Sequence, residues 1–340
     1  MHDLSRGQLV VTGGAGLIGS AIVWALNRRG LDDILIVDRL DASEKWRNLV
    51  PLRYADYVDA DEFERRILEQ PGAFDGVTAV FHLGACSATT ETDAAYLMRN
   101  NYEYTKHVAH WAAEHRTRFV YASSAATYGA LEDGLSDTCD LQSLRPLNAY
   151  AYSKHRFDLY AQRLGLLEHI AGIKYFNIFG PNEQHKGEMR SLVDKAFHQI
   201  RQAGSVKLFR SHRPEFCDGE QLRDFLYVKD AAEMTLHLAE SDACGIYNVG
   251  SGVAHTWLDL VRPIFRALAL PERIEFIPMP ERLRDKYQYS TRARIERLRA
   301  TGYDRAISPL AEAVDDYVRA YLVPDRRLDP TQAPVSAAVK

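Results

Sequence analysis

Short apolar runs alternate with longer stretches of periodic apolar residues along the first half of the chain. The short runs predict buried strands, and apolar residues repeating every three or four positions predict amphipathic helices. Strands followed by helices in this order are typical of a parallel, doubly wound sheet. The strands are expected at residues 9–12, 34–38, 77–83, 118–122 and 170–176.

The longest helical pattern covers residues 94–115, and another covers 149–164. After these the alternation loosens, and the polar stretch 180–188 begins with Gly-Pro and predicts a loop that opens a smaller region. In that region Thr256 is expected to cap a helix over 257–268. We therefore predict an α/β fold, with a Rossmann-type doubly wound parallel sheet and a smaller C-terminal α/β domain.

A glycine-rich string, Thr-Gly-Gly-Ala-Gly-Leu-Ile-Gly, lies between the first predicted strand and the first predicted helix, at residues 12–19. Gly13 would allow a tight turn, Gly16 a close approach of backbone to a pyrophosphate, and Gly19 close packing of helix on strand. The positive end of the helix favours the phosphates. Asp38 ends the second strand, where a carboxylate accepts hydrogen bonds from an adenosine ribose. The string therefore predicts a dinucleotide site.

Two cations next to Asp38 bear on the choice of dinucleotide. Arg39 follows it directly and Lys45 is close behind. Cations at this position can pair with a 2′-phosphate, which favours NADP while leaving NAD possible. The alternative is a solvated cluster of surface charges.

Tyr150 and Lys154 stand four positions apart and so share one face of a predicted helix. A phenol has an ordinary pKa near 10, and a neighbouring ammonium stabilises the phenolate. The pair is a catalytic candidate, with Tyr152 as the nearest competitor. Ser124 follows a predicted parallel strand at its carboxyl end, where ligands bind, and could hydrogen-bond a substrate alcohol or merely form a turn.

The patterns also indicate how the chain divides. We predict a dinucleotide-binding domain at 1–175 and a substrate domain at 176–323. The chain is expected to return to the first domain at 222–250, where a helix lies between two apolar runs. Residues 324–340 lack periodicity and are expected to form a disordered tail.

Composition excludes several classes of function. The chain has 340 residues, 46% hydrophobic and 26% charged, with a net charge of −4. No global field therefore favours nucleic acid or an anionic membrane, and no apolar run reaches the ~20 residues of a membrane span. Four scattered cysteines and no signal-peptide pattern before the first strand favour a reduced, cytoplasmic setting. The twelve histidines show no ligand spacing, so no metal is predicted.

The glycine string, Ser124 and the Tyr150/Lys154 pair together resemble the extended short-chain dehydrogenase/reductase family, whose members use NAD(P) on nucleotide sugars. Further stretches, within residues 9 to 320, are similar to one branch of that family, the epimerases that act at C6 of ADP-linked heptoses. These stretches are residues 83–87, 123–129, 146–150, 175–181, 185–187 and 223–225.

The resemblance implies further site residues and an oligomer. Lys186 would be a second acid/base opposite Tyr150 and would also lie near the cofactor. The branch implies a homo-oligomer, commonly a pentamer. NADP would contact Leu17, Ile18, Leu83, Gly84, Ala85, Cys86, Ser87, Asn100, Lys154 and Ile178. The ADP-heptose substrate would contact Asn177, Phe209, Arg210, Ser211, His212, Arg223 and Tyr287.

The sequence departs from this branch at several positions. Ala60 stands where a lysine could contact the cofactor, while Glu188 and Lys195 replace a substrate-binding serine and histidine. The segment 211–222 is longer than expected and is either a flap over the sugar or a surface insertion. The thiol of Cys86 is interpreted as buried and inert.

The resemblance implies inversion at C6 of the heptose, by transient oxidation to a 6-keto sugar and re-reduction, for lipopolysaccharide core synthesis. Two acid/base groups on opposite sides, Tyr150 and Lys186, fit an inversion. Which of them is the base in which direction stays open. The alternatives are a 4-epimerase, a 4,6-dehydratase or a non-catalytic NADP-binding protein. A dehydratase normally carries an acidic pair where this chain has Ala125 and Ala126.

Overall fold

The computed structural model describes residues 1–70, 72–284 and 287–332. Its strands are β1 (Gln8–Thr12), β2 (Ile34–Asp38), β3 (Asp56–Asp59), β4 (Val77–His82), β5 (Arg118–Ser124), β6 (Ala171–Tyr175), β7 (Asn177–Phe179), β8 (Val206–Phe209), β9 (Leu222–Tyr227), β10 (Gly245–Val249), β11 (Ala254–Thr256) and β12 (Ile274–Ile277).

The α-helices are α1 (Leu17–Arg28), α2 (Ala60–Glu69), α3 (Ala94–Leu97), α4 (Tyr104–Glu114), α5 (Ala149–Arg163), α6 (Leu192–Ala203), α7 (Val228–Glu240), α8 (Trp257–Ala267), α9 (Glu281–Arg284), α10 (Glu296–Ala300) and α11 (Leu310–Asp316). Short 3₁₀ helices cover Glu44–Asn48, Ala125–Tyr128, Leu141–Ser143, Leu166–Glu168 and Gln184–Met189, and π-helical turns cover Met98–Glu103 and Tyr317–Leu322.

Seven strands form one sheet in the order β10-β6-β5-β4-β1-β2-β3. Every neighbouring pair in it is parallel. This confirms the predicted doubly wound parallel sheet. The chain leaves β1 first toward β2 and β3 and then crosses to β4 on the other side. Ligands in such sheets bind at this switch point, outside the carboxyl ends of the strands.

Each face of the sheet is covered by helices, which is why the strands are apolar throughout. Successive residues of a strand point to opposite faces, so Val10 packs into one core and Val11 into the other. The core of Val11 includes α1 and α7, which pack against each other. The core of Val10 includes Phe63 of α2, Trp111 of α4 and Phe157 of α5. The carboxyl ends of the strands, where the ligand site is expected, are thus supported by helices on both faces of the sheet.

The smaller region contains a three-stranded sheet, β11-β9-β7, and a parallel pair, β12-β8. Thr256 caps α8 as predicted, in a reciprocal capping box with Asp259. The strand at Leu222–Tyr227 belongs to the three-stranded sheet, so the chain re-enters the large sheet only at Gly245–Val249. The expected return therefore begins later than residue 222.

Two further elements differ from expectation. The helix predicted over 94–115 contains the π-helical turn Met98–Glu103. Strand β3 was not predicted, because it lies at the sheet edge and buries only Val58.

The described part of the expected tail is anchored at one residue. Within residues 324–332 Leu328 is buried, and its N–H donates to Oδ1 of Asn182 at 3.0 Å. Residues 333–340 lie outside the described residues. Among the described helices none is long and apolar enough to cross a membrane.

Candidate active site

The loop after β1 has the shape of a phosphate cradle. Gly13 has φ +67°, and a Cβ there would lie 2.7 Å from the backbone nitrogen of Gly84. A Cβ on Gly19 would lie 2.1 Å from the carbonyl oxygen of Gly13, so α1 could not pack this closely with any larger residue. Gly16 caps α1 without a side-chain hydrogen bond. Among the residues that the structure describes, no side chain caps the first N–H groups of the helix, which can therefore bind an anion.

Charged residues gather at the end of β2. The carboxylate of Asp38 accepts the N–H of Ala15 at 2.9 Å on Oδ2 and the ammonium of Lys45 at 2.8 Å on Oδ1. The guanidinium of Arg39 bonds to Asp61 and to Oδ1 of Asn100. The structure thus brings the predicted Asp38, Arg39, Lys45 and Asn100 together. Both cations already have partners, so a bound phosphate would compete with carboxylates or amides for them.

Beneath the cradle, a buried histidine links β1, β4 and α4. The hydroxyl of Thr12 accepts the N–H of Gly84 at 3.0 Å and lies 2.9 Å from Nδ1 of His82. On the other side, Nε2 of His82 lies 2.9 Å from Oγ1 of Thr105, which donates to the carbonyl of Asn101 at 2.6 Å. Burial lowers the pKa of His82 to about 3. Its ring is therefore neutral, with the proton on Nε2 and Nδ1 accepting from Thr12.

The π-helical turn Met98–Glu103 places an asparagine that the sequence analysis missed. Asn101 is buried and accepts the N–H of Cys86 at 2.8 Å. Its amide donates to the Cys86 carbonyl and to Oγ of Ser153, each at 3.0 Å. Asn100, the predicted residue, points instead toward Arg39. A π turn shifts the side-chain register and is frequent at functional sites, and a regular helical pattern does not reveal it.

Tyr150 and Ser124 meet at the carboxyl end of β5. Asn148 caps α5 by accepting the N–H of Ala151 at 2.8 Å, which places Tyr150 in the first turn. Tyr150 and Ser124 are each 9% exposed, whereas the competitor Tyr152 is 48% exposed. Burial raises the pKa of the Tyr150 phenol, and the nearby Ser124 hydroxyl opposes that rise. The geometry therefore favours Tyr150 over Tyr152.

Lys154 lies one turn after Tyr150 and is also buried. Burial lowers its pKa to about 8, and the charges of Asp158 and Cys86 oppose the decrease. The ammonium makes no hydrogen bond or ion pair to the residues that the structure describes. It is therefore available to a ligand and to the phenolate of Tyr150.

Lys186 lies on the loop Gln184–Met189, in which Gly187 has φ +52°. Burial lowers the pKa of Lys186, and the charge of Glu183 opposes this. Glu183 is itself buried and accepts both the N–H and the hydroxyl of Ser191 at 2.6 Å. No hydrogen bond joins Lys186 to Tyr150 within the described parts of the chain.

Two asparagines tie the Lys186 loop to the glycine loop. Asn48 donates from Nδ2 to the carbonyls of Ala15 and Asn182, each at 2.9 Å. Asn182 donates in turn to Oγ of Ser20 on α1 at 2.9 Å. Both asparagines are buried, and Asn182 has φ +78°. The loop that carries Lys186 is therefore fixed to the dinucleotide cradle by hydrogen bonds.

A cavity of about 610 Å³ opens between β7, α6, β8 and α8. It contains six predicted site residues: Asn177, Ile178, Glu188, Lys195, Phe209 and Tyr287. Arg190 and Trp257 also line it and were not predicted. The indole of Trp257 donates to the Tyr287 hydroxyl at 2.8 Å. Predicted Arg223 is buried, with its guanidinium 4.9 Å from the Tyr287 ring centre.

The long segment 211–222 is anchored rather than loose. The N–H of His212 donates to the hydroxyl of Tyr289 at 2.8 Å. Arg213 pairs with Glu132 at 2.9 Å, and the N–H of Tyr289 donates to the same carboxylate. Of the predicted residues near this segment, Arg210, Ser211 and His212 do not line the cavity.

The remaining predicted residues are spread along the cradle. Leu83 continues β4 by donating its N–H to Thr12, and the loop 83–87 runs past the glycine loop. Leu17 is buried, whereas Ser87 is exposed. No group of three or more His, Cys, Asp or Glu residues within 1–70, 72–284 and 287–332 could hold a metal.

Comparisons with known proteins agree with this architecture. Residues 9–250 match the NAD dependent epimerase/dehydratase family. The chain is 50% identical over 315 residues to ADP-L-glycero-D-manno-heptose-6-epimerase of Nitratidesulfovibrio vulgaris (strain DP4), covering 92% of this chain and 97% of the relative. It is 46% identical over 326 residues to the protein of the same name from Fusobacterium nucleatum, covering 93% and 98%.

Solved structures give the same relationship. The structure of ADP-L-glycero-D-manno-heptose-6-epimerase from Helicobacter pylori is similar, with a TM-score of 0.78 and 26% identity over 94% of this chain and 98% of that one. UDP-glucose 4-epimerase of Thermus thermophilus, in complex with NAD, has a TM-score of 0.71 and 26% identity over 92% and 97%.

Proposed function

The chain belongs to the NAD dependent epimerase/dehydratase family, and we propose that it inverts C6 of the heptose in ADP-D-glycero-D-manno-heptose to give the L-glycero epimer. One observation carries the proposal. Tyr150 and Ser124 are buried together at the carboxyl end of β5 beside a glycine cradle, and the Lys186 loop is fixed to that cradle through Asn48. The relatives from Nitratidesulfovibrio and Fusobacterium support the heptose as the sugar.

A nicotinamide cofactor supplies the chemistry of transient oxidation at C6, to a 6-keto sugar, and of its re-reduction. The cradle fits such a group, because Gly13 and Gly19 leave no room for a Cβ and no side chain caps the N-terminus of α1. NADP is favoured because Arg39 and Lys45 lie beside Asp38, and NAD would use the same cradle without the charge pairing. The segments at 17–18 and 83–87 would complete the site.

Two groups of this chain would move the alcohol proton. The Ser124 hydroxyl lies near Tyr150, and the ammonium of Lys154, one helical turn away, would stabilise its phenolate. Lys186 would act from the other side of the carbon. Burial lowers its pKa toward the range in which an amine can accept or donate a proton. Tyr150 and Lys186 exchange roles between the two directions of the reaction.

The cavity would hold the nucleotide and orient the sugar. Arg190 and Lys195 line it and give it positive charge suited to a diphosphate. Trp257 and Tyr287 offer aromatic faces, and the guanidinium of Arg223 packs against both rings. Binding of the ADP part would keep the keto sugar in place while it presents its second face. Glu188 and Lys195, which replace expected side chains, would alter individual contacts.

A 4,6-dehydratase is less well supported by the structure. Ala125 and Ala126 form the first turn after Ser124, so no acid follows the serine directly. The proposed heptose epimerase would be a cytoplasmic homo-oligomer, a pentamer. It would supply heptose for the lipopolysaccharide core. We retain 1–175 as the dinucleotide-binding domain, to which the chain returns with β10, and 176–323 as the substrate domain.

The deciding experiment follows the C6 epimer ratio of ADP-D-glycero-D-manno-heptose by NMR, with purified protein and no added nicotinamide. Epimerisation under these conditions supports a retained, recycled cofactor. Stoichiometric reduction of added NADP would identify a dehydrogenase instead. No conversion, with or without added NADP or NAD, together with conversion of UDP-hexoses at C4, would replace the proposal by a 4-epimerase.

A further inference from the structure

A fully buried ion pair lies behind the candidate catalytic residues. The ammonium of Lys174 on β6 lies 2.9 Å from Oδ2 of Asp158 on α5, and both side chains are 0% exposed. Asp158 also accepts Ser123 Oγ at 2.7 Å and the Tyr121 hydroxyl at 2.9 Å. Lys174 donates to Oγ1 of Thr127 as well. Both charges are thus surrounded by hydrogen-bond partners.

The pair connects the two elements that carry the catalytic candidates. Asp158 follows Lys154 by one turn of α5, so both side chains are on the same face of the helix. Thr127, which accepts from Lys174, donates to the carbonyl of Ser124 at 2.7 Å. A continuous path of hydrogen bonds therefore runs from the face of α5 that bears Lys154 to the backbone of Ser124.

Stability alone does not account for these charges. Removing two ions from water costs several kcal/mol each, and apolar residues of similar volume are often as stable or more so. Lys174 lies in β6, between β5 and β10, where parallel strands are normally apolar. A function of the charge itself is therefore the better explanation.

Asp158 lies one turn of α5 from Lys154, and both side chains are buried. The titratable groups around Lys154 are Asp158 and Tyr150 on its own helix, His82 on β4 and Cys86 in the following loop. Burial lowers the pKa of Lys154 to about 8, and Asp158 is the stronger of the two opposing groups. His82 is neutral. Asp158 is therefore the main anion that counters the desolvation of the ammonium.

We propose that Asp158, held by Lys174, is a positioning residue of the epimerase reaction, which fixes α5 against the Ser124 strand end and presents a negative charge to Lys154. The inference rests on the role of Tyr150 and Lys154 in the proposed function. Asp158 and Lys174, which do not contact the substrate, would thereby control the protonation of Lys154.

The test compares the pH dependence of kcat in three variants. Asp158→Asn removes the carboxylate but leaves Lys174 buried without its partner. The double variant Asp158→Asn/Lys174→Met removes both charges and is expected to fold even where the single variant does not. Lys174→Arg keeps the pair and serves as the matched control. Thermal unfolding and cofactor affinity are measured on the same samples.

Loss of the carboxylate should move the alkaline limb of kcat to lower pH by about one unit, a tenfold loss of kcat beyond the limb. Lys174→Arg should keep the wild-type limb. If the folded double variant keeps the wild-type alkaline limb of kcat, the inference is wrong and the proposed function is unaffected. Absence of turnover in the wild type would instead overturn the proposed function, and the inference with it.

Discussion

The backbone N–H of Leu328 donates to Oδ1 of Asn182 at 3.0 Å, across 146 positions of sequence. Asn182 in turn donates to Ser20 on α1 and accepts from Asn48 through its carbonyl. The C-terminal segment therefore helps to hold the loop that carries Lys186.

Substituting Asn182 should separate the backbone and side-chain contributions of this junction. Asn182→Gly keeps the positive φ accessible but loses two side-chain hydrogen bonds, each worth about 1 kcal/mol. Asn182→Ala should lower the free energy of unfolding by a further ~1–2 kcal/mol, because alanine disfavours this conformation. Urea unfolding of both variants measures the difference. Equal stability of the two would contradict the strain argument.

Removing the Tyr150 hydroxyl should abolish most turnover. Tyr150→Phe is expected to lower kcat by about 10²–10⁴-fold, since the phenol would transfer the alcohol proton. Tyr152→Phe is the matched control, because that ring is 48% exposed and two positions away. Steady-state epimerisation of ADP-heptose measures both. A larger loss in Tyr152→Phe would exchange the two assignments.

Lys186 and Lys195 should affect different kinetic parameters. Lys186→Met removes an acid/base group and should lower kcat by about 10²-fold or more. Lys195→Met removes a cation from the cavity wall and should raise KM about tenfold with little change in kcat. An unchanged kcat in Lys186→Met would remove this lysine from the chemistry and favour a reaction with one acid/base group.

Arg39 should discriminate between the two dinucleotides. Arg39→Ala should weaken NADP binding about tenfold or more and leave NAD binding nearly unchanged, because only NADP carries a phosphate to pair with it. Arg65→Ala on exposed α2 is the control for loss of one surface cation. Calorimetric titration of cofactor-free protein gives the affinities. Equal weakening of both dinucleotides would contradict a role at the 2′-phosphate.

Acid should destabilise the protein through His82. Its pKa is about 3 in the fold, compared with an ordinary 6.5. Between these values the unfolded chain binds the additional proton, so stability falls as pH decreases, by up to about 1.4 kcal/mol per pH unit. His82→Gln should reduce this slope between pH ~4 and ~6.5, whereas exposed His169→Gln should not. Urea unfolding at several pH values measures both slopes.

Local patterns were sufficient to predict the cradle and the parallel sheet, apart from the edge strand β3. The string from Thr12 to Gly19 and the buried runs specify their structure through neighbouring residues, which is why strand, turn and helix follow in the expected order. Thr256 was found for the same reason, since a capping box involves only four residues.

Residues that depend on distant contacts were not predicted. Asn101 reaches Cys86 only because of a π turn, and Trp257 lines the cavity although the sequence indicates only the start of a helix. One signal was present and not used. Lys174 stands within the apolar strand predicted at 170–176. A strand of a parallel sheet is covered on both faces, so a charged side chain in it requires a buried partner such as Asp158.

Ala15 is bonded on both sides, through its N–H to Asp38 and through its carbonyl to Asn48. A loop that is already fixed loses little conformational freedom when a ligand enters, so dissociation is slow. We therefore expect the protein to leave purification with its dinucleotide still bound. A single cofactor molecule would then stay in place for many turnovers, and the rate in the cell would be independent of the free nicotinamide pool.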